Sequence, residues 1–251
     1  MKLQIKAIVI ISLISILSAG AAQRGRPETK GCLPAGSGSL NFTTAQRLRP
    51  ENESCARLLA EERLWKSRMG VRASIYLIDV ENAFAEPNGQ VYLGQPLINR
   101  MLQMRGLEYA FQGGGFIVAH EYGHQFQFRI AKEHDLTLGP GPVVELQADT
   151  LAGYWVGMRL REQKEGLEAI GQGYEIDRIY RIALQAAYDV GDFAFNHPSH
   201  HGTPNQRYEA TKKGFEAGFR AKFGDPDDVF SSNGDKIFDW SENLAKTIYG
   251  R

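Results

Sequence analysis

The stretch FIVAHEYGHQFQF, residues 116–128, has the pattern of an apolar helix that carries a few polar side chains. His120 and His124 stand four residues apart, so a helix places both on one face, within reach of a single metal ion. Glu121 directly follows His120 and can reach a water molecule on that metal. This HExxH spacing is typical of zinc sites whose glutamate is a general base. A buried helix with two hydrogen-bonded histidines is the alternative that the motif alone leaves open.

A catalytic zinc site needs a third protein ligand and one open position. The extended pattern HExxHxxGxxH is excluded as its source, because Gln127 and Ile130 stand where that pattern requires glycine and histidine. The stretch ELQAD, residues 145–149, offers a glutamate on the next predicted helix instead. The sequence therefore favours a ligand set that is shared between two helices.

Glu145 and Asp149 are four residues apart and share one face of that second helix. We expect Glu145 to complete the metal coordination. We expect Asp149 to accept the second ring N–H of His120 or His124, which would fix the orientation of that ring. A solvated acidic helix face is the alternative, and it is disfavoured because apolar residues surround both carboxylates, where an unpaired charge is costly.

The stretch NHPSHHGTPNQR, residues 196–207, holds three of the six histidines of the chain. Hydrolysis of an amide passes through an oxyanion that needs a hydrogen-bond donor besides the metal. His201 and Arg207 are the candidates for this role. A surface loop with solvated histidines is the alternative, above all for His197 and His200.

The bulk composition describes an ordinary globular protein. The chain has 251 residues, 43% of them hydrophobic, and no net formal charge at pH 7. This length and composition fit one domain with a sizeable core. The balanced charge and the lack of a basic run give no reason to expect a nucleic-acid partner. The oligomeric state stays open.

Residues 1–22 have the three parts of a secretory signal: a basic start, an apolar core at 7–17 and small residues at 18–22. The apolar core is too short for a comfortable membrane span, although an uncleaved N-terminal anchor is the alternative. We therefore expect a signal peptide at 1–22 and a single domain at 23–251. This domain is expected to be periplasmic or secreted and to have no stable membrane span.

Export would place Cys32 and Cys55 in an oxidising compartment, where a disulfide between them is expected. The bridge would close a loop of about 23 residues and stabilise the fold by about 3 kcal/mol in the chain-entropy model. Two buried thiols are the alternative.

The apolar periodicity predicts an α+β fold, mainly α-helical, with a small sheet beside the HExxH helix. A strand is expected at 71–78, followed by a hairpin-like stretch at 82–93 that turns at Pro87-Asn88-Gly89. Further helices are expected at 51–69, 96–104, 143–163, 167–190, 203–219 and 239–248. The run Gly113-Gly114-Gly115 precedes the HExxH helix in this interpretation, either as a hinge or as a plain loop.

Together, HEYGH at 120–124 and ELQAD at 145–149 resemble the gluzincin metallopeptidases. NAFAEPNGQVYL at 82–93 resembles the strand motif of the CAAX-prenyl-protease-like peptidases. ELQADTLAG and HGTPNQR resemble the bacterial putative neutral zinc metallopeptidases. The resemblance extends over roughly residues 75 to 220, and the combination of spaced motifs is more specific than any one of them.

The resemblance implies a zincin-like metallopeptidase domain at 23–251 that binds one Zn²⁺ per chain. The implied residues are the zinc ligands His120, His124 and Glu145, the general base Glu121, their partner Asp149, the oxyanion donor His201 and its companion Arg207. The implied activity is that of an exported zinc metalloendopeptidase, with a zinc-activated water and a peptide or protein substrate. The strand at 91–93 would be the sheet edge that holds an extended substrate.

Two departures from these families narrow the expectation. Thr150 stands where the neutral zinc group often has cysteine, and the membrane helices of the prenyl-protease group are absent. Prenylated or membrane-embedded substrates are therefore disfavoured. A non-catalytic zinc-binding envelope protein, chaperone-like or an assembly factor, is one alternative function. Hydrolysis of another amide, such as a cell-wall peptide crosslink, is the second.

Overall fold

Helices form most of the described structure, and a small four-stranded sheet lies among them. The computed structural model describes residues 43–50, 53–139, 141–168, 176–189, 201–221 and 234–250. The elements in these ranges are β1 (Ala45–Arg47), α1 (Glu53–Met69), β2 (Ser74–Ile78), β3 (Ala83–Glu86), β4 (Gln90–Gly94), α2 (Gln95–Arg105), α3 (Leu107–His134), α4 (Gly141–Glu168), α5 (Ile176–Asp189), α6 (Pro204–Arg220) and α7 (Gly234–Tyr249). The predicted mainly α-helical α+β class is confirmed. Among the described residues, no helix is both long enough and apolar enough to cross a membrane.

The sheet has the order β1-β2-β4-β3. The predicted hairpin is confirmed, since β3 and β4 pair antiparallel and Gly89 takes a positive φ of 85° in the turn between them. The predicted edge position of residues 91–93 is wrong, because β4 also pairs in parallel with β2 and therefore lies inside the sheet. Both neighbours cover its backbone, so β3 is the edge strand on this side.

Helix α3 begins before the run Gly113-Gly114-Gly115, so the prediction that these glycines lie outside it as a hinge or loop is wrong. A Cβ atom at Gly113 would lie 2.5 Å from the Met101 side chain of α2, and one at Gly114 would lie 3.0 Å from Ile98. The first two glycines therefore let α2 pack closely against α3, which offsets their low helix propensity.

Helices α4 and α6 pack backbone against backbone along four glycines. Gly153 and Gly157 of α4 face α6, while Gly214 and Gly218 of α6 face α4. A Cβ atom at any of these positions would lie 2.0–2.4 Å from a carbonyl oxygen of the opposite helix. Only glycine permits this approach, and it brings the side chains near the starts of the two helices within hydrogen-bonding distance of one another.

Gly123, between the two histidines of the HExxH motif, is the point where α3 meets α4. A Cβ atom there would lie 3.2 Å from the Ala148 Cα and 3.1 Å from its carbonyl oxygen. The motif glycine thus lets α4 approach closely enough for Glu145 and Asp149, on either side of Ala148, to reach the histidines.

The opposite side of α3 is anchored in an aromatic core. The Trp65 ring of α1 stacks on Trp155 of α4, with centroids 4.2 Å apart, and on Tyr122 of α3 at 5.5 Å. The Tyr122 hydroxyl donates a hydrogen bond of 3.2 Å to the Ala73 carbonyl beside β2. The helix that carries the histidines is therefore fixed to α1, to α4 and to the sheet by contacts behind the site.

Candidate metal centre

Three side chains from α3 and α4 converge in one buried cluster that could hold a metal ion: His120, His124 and Glu145. The Nε2 atoms of the two histidines lie 3.1 Å apart. The Glu145 carboxylate lies 3.3 Å from His120 Nε2 and 3.5 Å from His124 Nε2. The helical spacing of the histidines and the close approach at Gly123 together produce this geometry.

The Glu145 carboxylate is buried, and its Oε2 atom lies 3.3 Å from His120 Nε2 and from His201 Nδ1, with hydrogen-bond geometry to neither ring. Burial raises the pKa of Glu145, but the facing rings of His124, His120 and His201 lower it well below its usual range. A buried, ionised carboxylate oxygen without a hydrogen bond is costly unless a cation coordinates it. The donor set therefore suits a metal ion.

The second ring nitrogen of His120 is held by a charged partner. His120 Nδ1 lies 2.8 Å from Asp149 Oδ1, whereas the sequence predicts Asp149 as the partner of either His120 or His124. Burial lowers the pKa of His120, but the Asp149 carboxylate and Glu145 raise it to about 10. In the absence of a metal the ring therefore carries a proton on both nitrogens at neutral pH, and metal binding at Nε2 would release the proton there.

Asp149 is itself held by Arg207 of α6. Arg207 donates from Nε to Asp149 Oδ2 at 2.7 Å and from a terminal nitrogen to Asp149 Oδ1 at 2.8 Å. The second of these donors also lies 3.4 Å from His120 Nδ1. Burial raises the pKa of Asp149, but the Arg207 and His120 charges lower it below its usual range. The structure thus places Arg207 directly behind Asp149.

The partner of His124 was missed from the sequence. His124 Nδ1 lies 2.7 Å from the Oε1 atom of Gln127, the residue three positions further along α3. In the sequence, Gln127 serves only to exclude the longer pattern HExxHxxGxxH. Its signal was nonetheless available, because it is a polar residue on the histidine side of an otherwise apolar helix.

A pocket of about 180 Å³ opens beside the cluster. Glu121 lies on its wall next to the ligands, and His201 lines it on another side. Leu97 and Phe116 supply apolar wall, while Ala83 brings the edge strand β3 to the pocket. Ionisable side chains and a small apolar recess therefore share one cavity.

The predicted oxyanion donor His201 is brought to the cluster, with Nδ1 3.3 Å from Glu145 Oε2 and the side chain 23% exposed. Its position depends on the start of α6. Thr203 caps that helix in a capping box with Gln206, and Pro204 occupies its first turn. This cap sets where the chain turns, so that His201 and Arg207 approach the cluster from the same helix end.

Several predicted features lie outside the described residues. His197, His200, Cys32 and the proposed signal peptide at 1–22 are among them. Cys55 is buried in α1, and the Cys32–Cys55 disulfide stays a prediction.

The comparison with known proteins finds similar sequences but indicates no activity for this chain. No protein-family model and no solved structure match the chain. The chain is similar to the uncharacterized protein YpfJ of Escherichia coli (strain K12), with 29% identity over 155 residues, which cover 54% of this chain and 50% of YpfJ. The protein of the same name from Escherichia coli O6:H1 shows the same identity and coverage. The chain therefore spans about half the length of the curated relatives it matches.

Proposed function

We propose that this protein is a zinc-dependent metallopeptidase of the zincin type, exported to the periplasm or beyond the cell. The observation that carries the proposal is the position of Glu121. Its buried carboxylate lines the same pocket as His120 and Glu145, and Glu121 directly follows His120 on α3. A site that only stored a metal ion would not require a further buried acid beside the ligands.

Zinc is the metal that suits this cluster best. Tetrahedral zinc with bonds of about 2.0–2.1 Å separates its ligand atoms by about 3.3 Å. The two Nε2 atoms lie 3.1 Å apart, Glu145 Oε2 lies 3.3 Å from His120 Nε2, and Glu145 Oε1 lies 3.5 Å from His124 Nε2. Two imidazoles and one carboxylate are also the donor set of many catalytic zinc sites.

The roles of the residues follow from their positions. Bound zinc would polarise the substrate carbonyl and lower the pKa of a water molecule. Glu121 takes the proton of the attacking water and passes it to the leaving amine. His201, half-buried at the pocket wall, donates a hydrogen bond to the oxyanion. Arg207 holds Asp149, which in turn orients His120, so we assign it a positioning role in preference to the predicted contact with the oxyanion.

The substrate would be a peptide that meets the sheet at β3. The Asn82 carbonyl accepts a hydrogen bond from the Gly94 N–H. In an antiparallel pair, the backbone groups of successive residues point alternately toward and away from the partner strand, so those of Ala83 point away from β4. Ala83 lines the pocket, whereas Ala85 is fully buried. The Ala83 N–H already donates to Asn82 Oδ1 at 2.9 Å, so pairing with a substrate is expected at the Ala83 carbonyl. The apolar recess at Leu97 and Phe116 would take one side chain of the peptide.

The decisive comparison is between wild type and Glu121→Gln, which keeps the shape of the side chain but removes the base. We expect cleavage of an unfolded protein substrate to fall by about 10²–10⁴-fold, with one zinc per chain retained in both proteins. Glu133→Gln is the matched control, because Glu133 lies on the same helix in a surface ion pair with Arg129. A chelator should abolish the wild-type activity.

Unchanged cleavage by Glu121→Gln, with zinc content also unchanged, would refute the mechanism. A wild-type protein that binds zinc but cleaves no substrate would favour the non-catalytic zinc-binding envelope protein. A wild-type protein that binds no zinc would refute the proposed function at its first step.

A further inference from the structure

A chain of buried hydrogen bonds leads from His124 to helix α7. His124 Nδ1 contacts Gln127 Oε1 at 2.7 Å, and Gln127 Nε2 donates to Gln147 Oε1 of α4 at 2.8 Å. Gln147 Nε2 then donates to Ser241 Oγ of α7 at 3.2 Å, and the Ser241 hydroxyl donates to the Phe238 carbonyl at 3.0 Å. The chain thus crosses three helices and ends on a backbone carbonyl.

The members of this chain are excluded from solvent. Gln127 and Ser241 are 0% exposed and Gln147 is 1% exposed. Buried amides are costly unless their donors and acceptors are satisfied. Here Gln127 Nε2 also donates to the Val144 carbonyl at 2.8 Å, and Gln147 Nε2 also donates to the Phe238 carbonyl at 3.1 Å. Both amide groups therefore use their donors and their acceptor oxygen.

Two backbone carbonyls determine which atoms donate and which accept in this chain of hydrogen bonds. The Val144 carbonyl only accepts, so the amide nitrogen of Gln127 must face it and the amide oxygen must face His124. His124 must then donate from Nδ1, which leaves the lone pair of Nε2 for a metal ion. The Phe238 carbonyl orients Gln147 in the same way at the other end.

We propose that Gln127, Gln147 and Ser241 are positioning residues for the metal ligand His124, and that they couple the docking of α7 to metal affinity. This inference rests on the metal-binding part of the proposed function and is independent of peptidase activity. Helix α7 contributes no ligand to the cluster, yet its Ser241 and Phe238 complete the chain that fixes one ligand ring.

Gln125 supplies a matched control. It is also a buried glutamine of α3 and its side chain also donates two hydrogen bonds, to the Glu86 and Gln90 carbonyls at 2.7 and 3.0 Å. These bonds hold the β3–β4 hairpin and do not involve a metal ligand. Gln125→Met and Gln127→Met therefore remove the same group from the same helix, but only the second touches His124.

The test is the zinc affinity of the full chain, measured by competition with a chelating dye. Loss of an outer hydrogen-bond partner of a metal ligand typically weakens binding by about 10–100-fold, and we expect this for Gln127→Met. Gln147→Met and then Ser241→Ala should show progressively smaller losses, with that of Ser241→Ala below about tenfold. Gln125→Met should bind zinc like wild type, and Ser241→Thr, which keeps the hydroxyl, should restore the affinity.

A second measurement separates positioning from general stability. In the zinc-loaded, ¹⁵N-labelled protein, the Nδ1–H proton of His124 should exchange slowly with solvent, and faster in Ser241→Ala. Ser241→Ala removes a single oxygen, so it keeps the test open if Gln127→Met does not fold. Equal zinc affinities for Ser241→Ala, Gln125→Met and wild type, with unchanged Nδ1–H exchange, would overturn the inference while leaving zinc binding intact.

Discussion

His120 and His124 lie one turn apart on the same face of α3, but their second ring nitrogens are held in opposite ways. His120 meets a carboxylate, Asp149, which is itself paired with the guanidinium of Arg207. His124 meets a neutral amide, Gln127, whose support continues through further neutral groups to α7. One histidine has a charged support of two residues, and the other has a neutral support of three.

The difference shows that the partner of a histidine ring can do two things: orient the ring, and stabilise positive charge on it. A carboxylate orients the ring and also stabilises positive charge on it, which is why the pKa of His120 rises to about 10 after burial has lowered it. An amide orients the ring without adding charge. Removal of the charged partner leaves a buried ion uncompensated, whereas removal of the neutral partner leaves an unsatisfied dipole, so the expected costs differ.

The largest effect is expected from Asp149→Ala, which breaks the charged support. Arg207 is 3% exposed and would keep its charge without the carboxylate. Breaking a buried ion pair by removing one partner typically costs about 3–5 kcal/mol, so the free energy of unfolding of the metal-free protein should fall by about this amount. Denaturant unfolding measures it.

A double-mutant cycle with Arg207→Met is the control for this prediction. If the cost of Asp149→Ala comes from the uncompensated guanidinium, the double variant should be more stable than the sum of the two single losses implies. Strict additivity would show that Asp149 and Arg207 do not act as a unit, and the comparison between the two supports would lose its basis.

Zinc should stabilise the folded protein by an amount set by the ratio of its free concentration to Kd. At a free zinc concentration of 100 times Kd, the free energy of unfolding should rise by about 2.7 kcal/mol, and a chelator should remove this gain. Calorimetry with and without zinc measures the shift in Tm. Glu145→Gln is the control, since loss of the third ligand should abolish the gain; an equal gain in that variant would place the zinc elsewhere.

Gly123→Ala tests the contact that serves both supports at once. The added methyl group would meet the Ala148 backbone and push α4 away from α3. Overpacking of this kind costs about 1–3 kcal/mol, and it should weaken zinc binding because Glu145 moves with α4. Gly115→Ala is the matched control, because a Cβ at Gly115 meets no described atom within 4 Å. Equal stability and zinc affinity in the two variants would contradict the close contact.

The smallest effect on stability is expected for Ser241→Ala at the far end of the neutral support. The variant loses the hydrogen bonds of one hydroxyl, and the free energy of unfolding should fall by about 1 kcal/mol. Thr247→Ala is a comparison on the same helix, because its exposed hydroxyl bonds only to the Asn243 carbonyl. A loss above that of Asp149→Ala would reverse the order that the comparison predicts.

Local patterns in the sequence predicted the parts of the site that lie within one helix. The pair His120 and His124 follows from helical periodicity, as does the common face of Glu145 and Asp149. The β3–β4 hairpin follows from its turn residues. Each of these features is set by contacts between residues a few positions apart, so it can be derived without knowledge of the fold.

The tertiary structure alone decided which strand lies at the sheet edge, which partner each histidine has and what Arg207 contacts. Strands β2 and β4 are both apolar, so nothing local shows that they pair and enclose β4. Arg207 lies 58 positions from Asp149, and Ser241 lies 94 positions from Gln147. A buried polar side chain must find some partner, but the identity of that partner depends on how helices distant in sequence pack together.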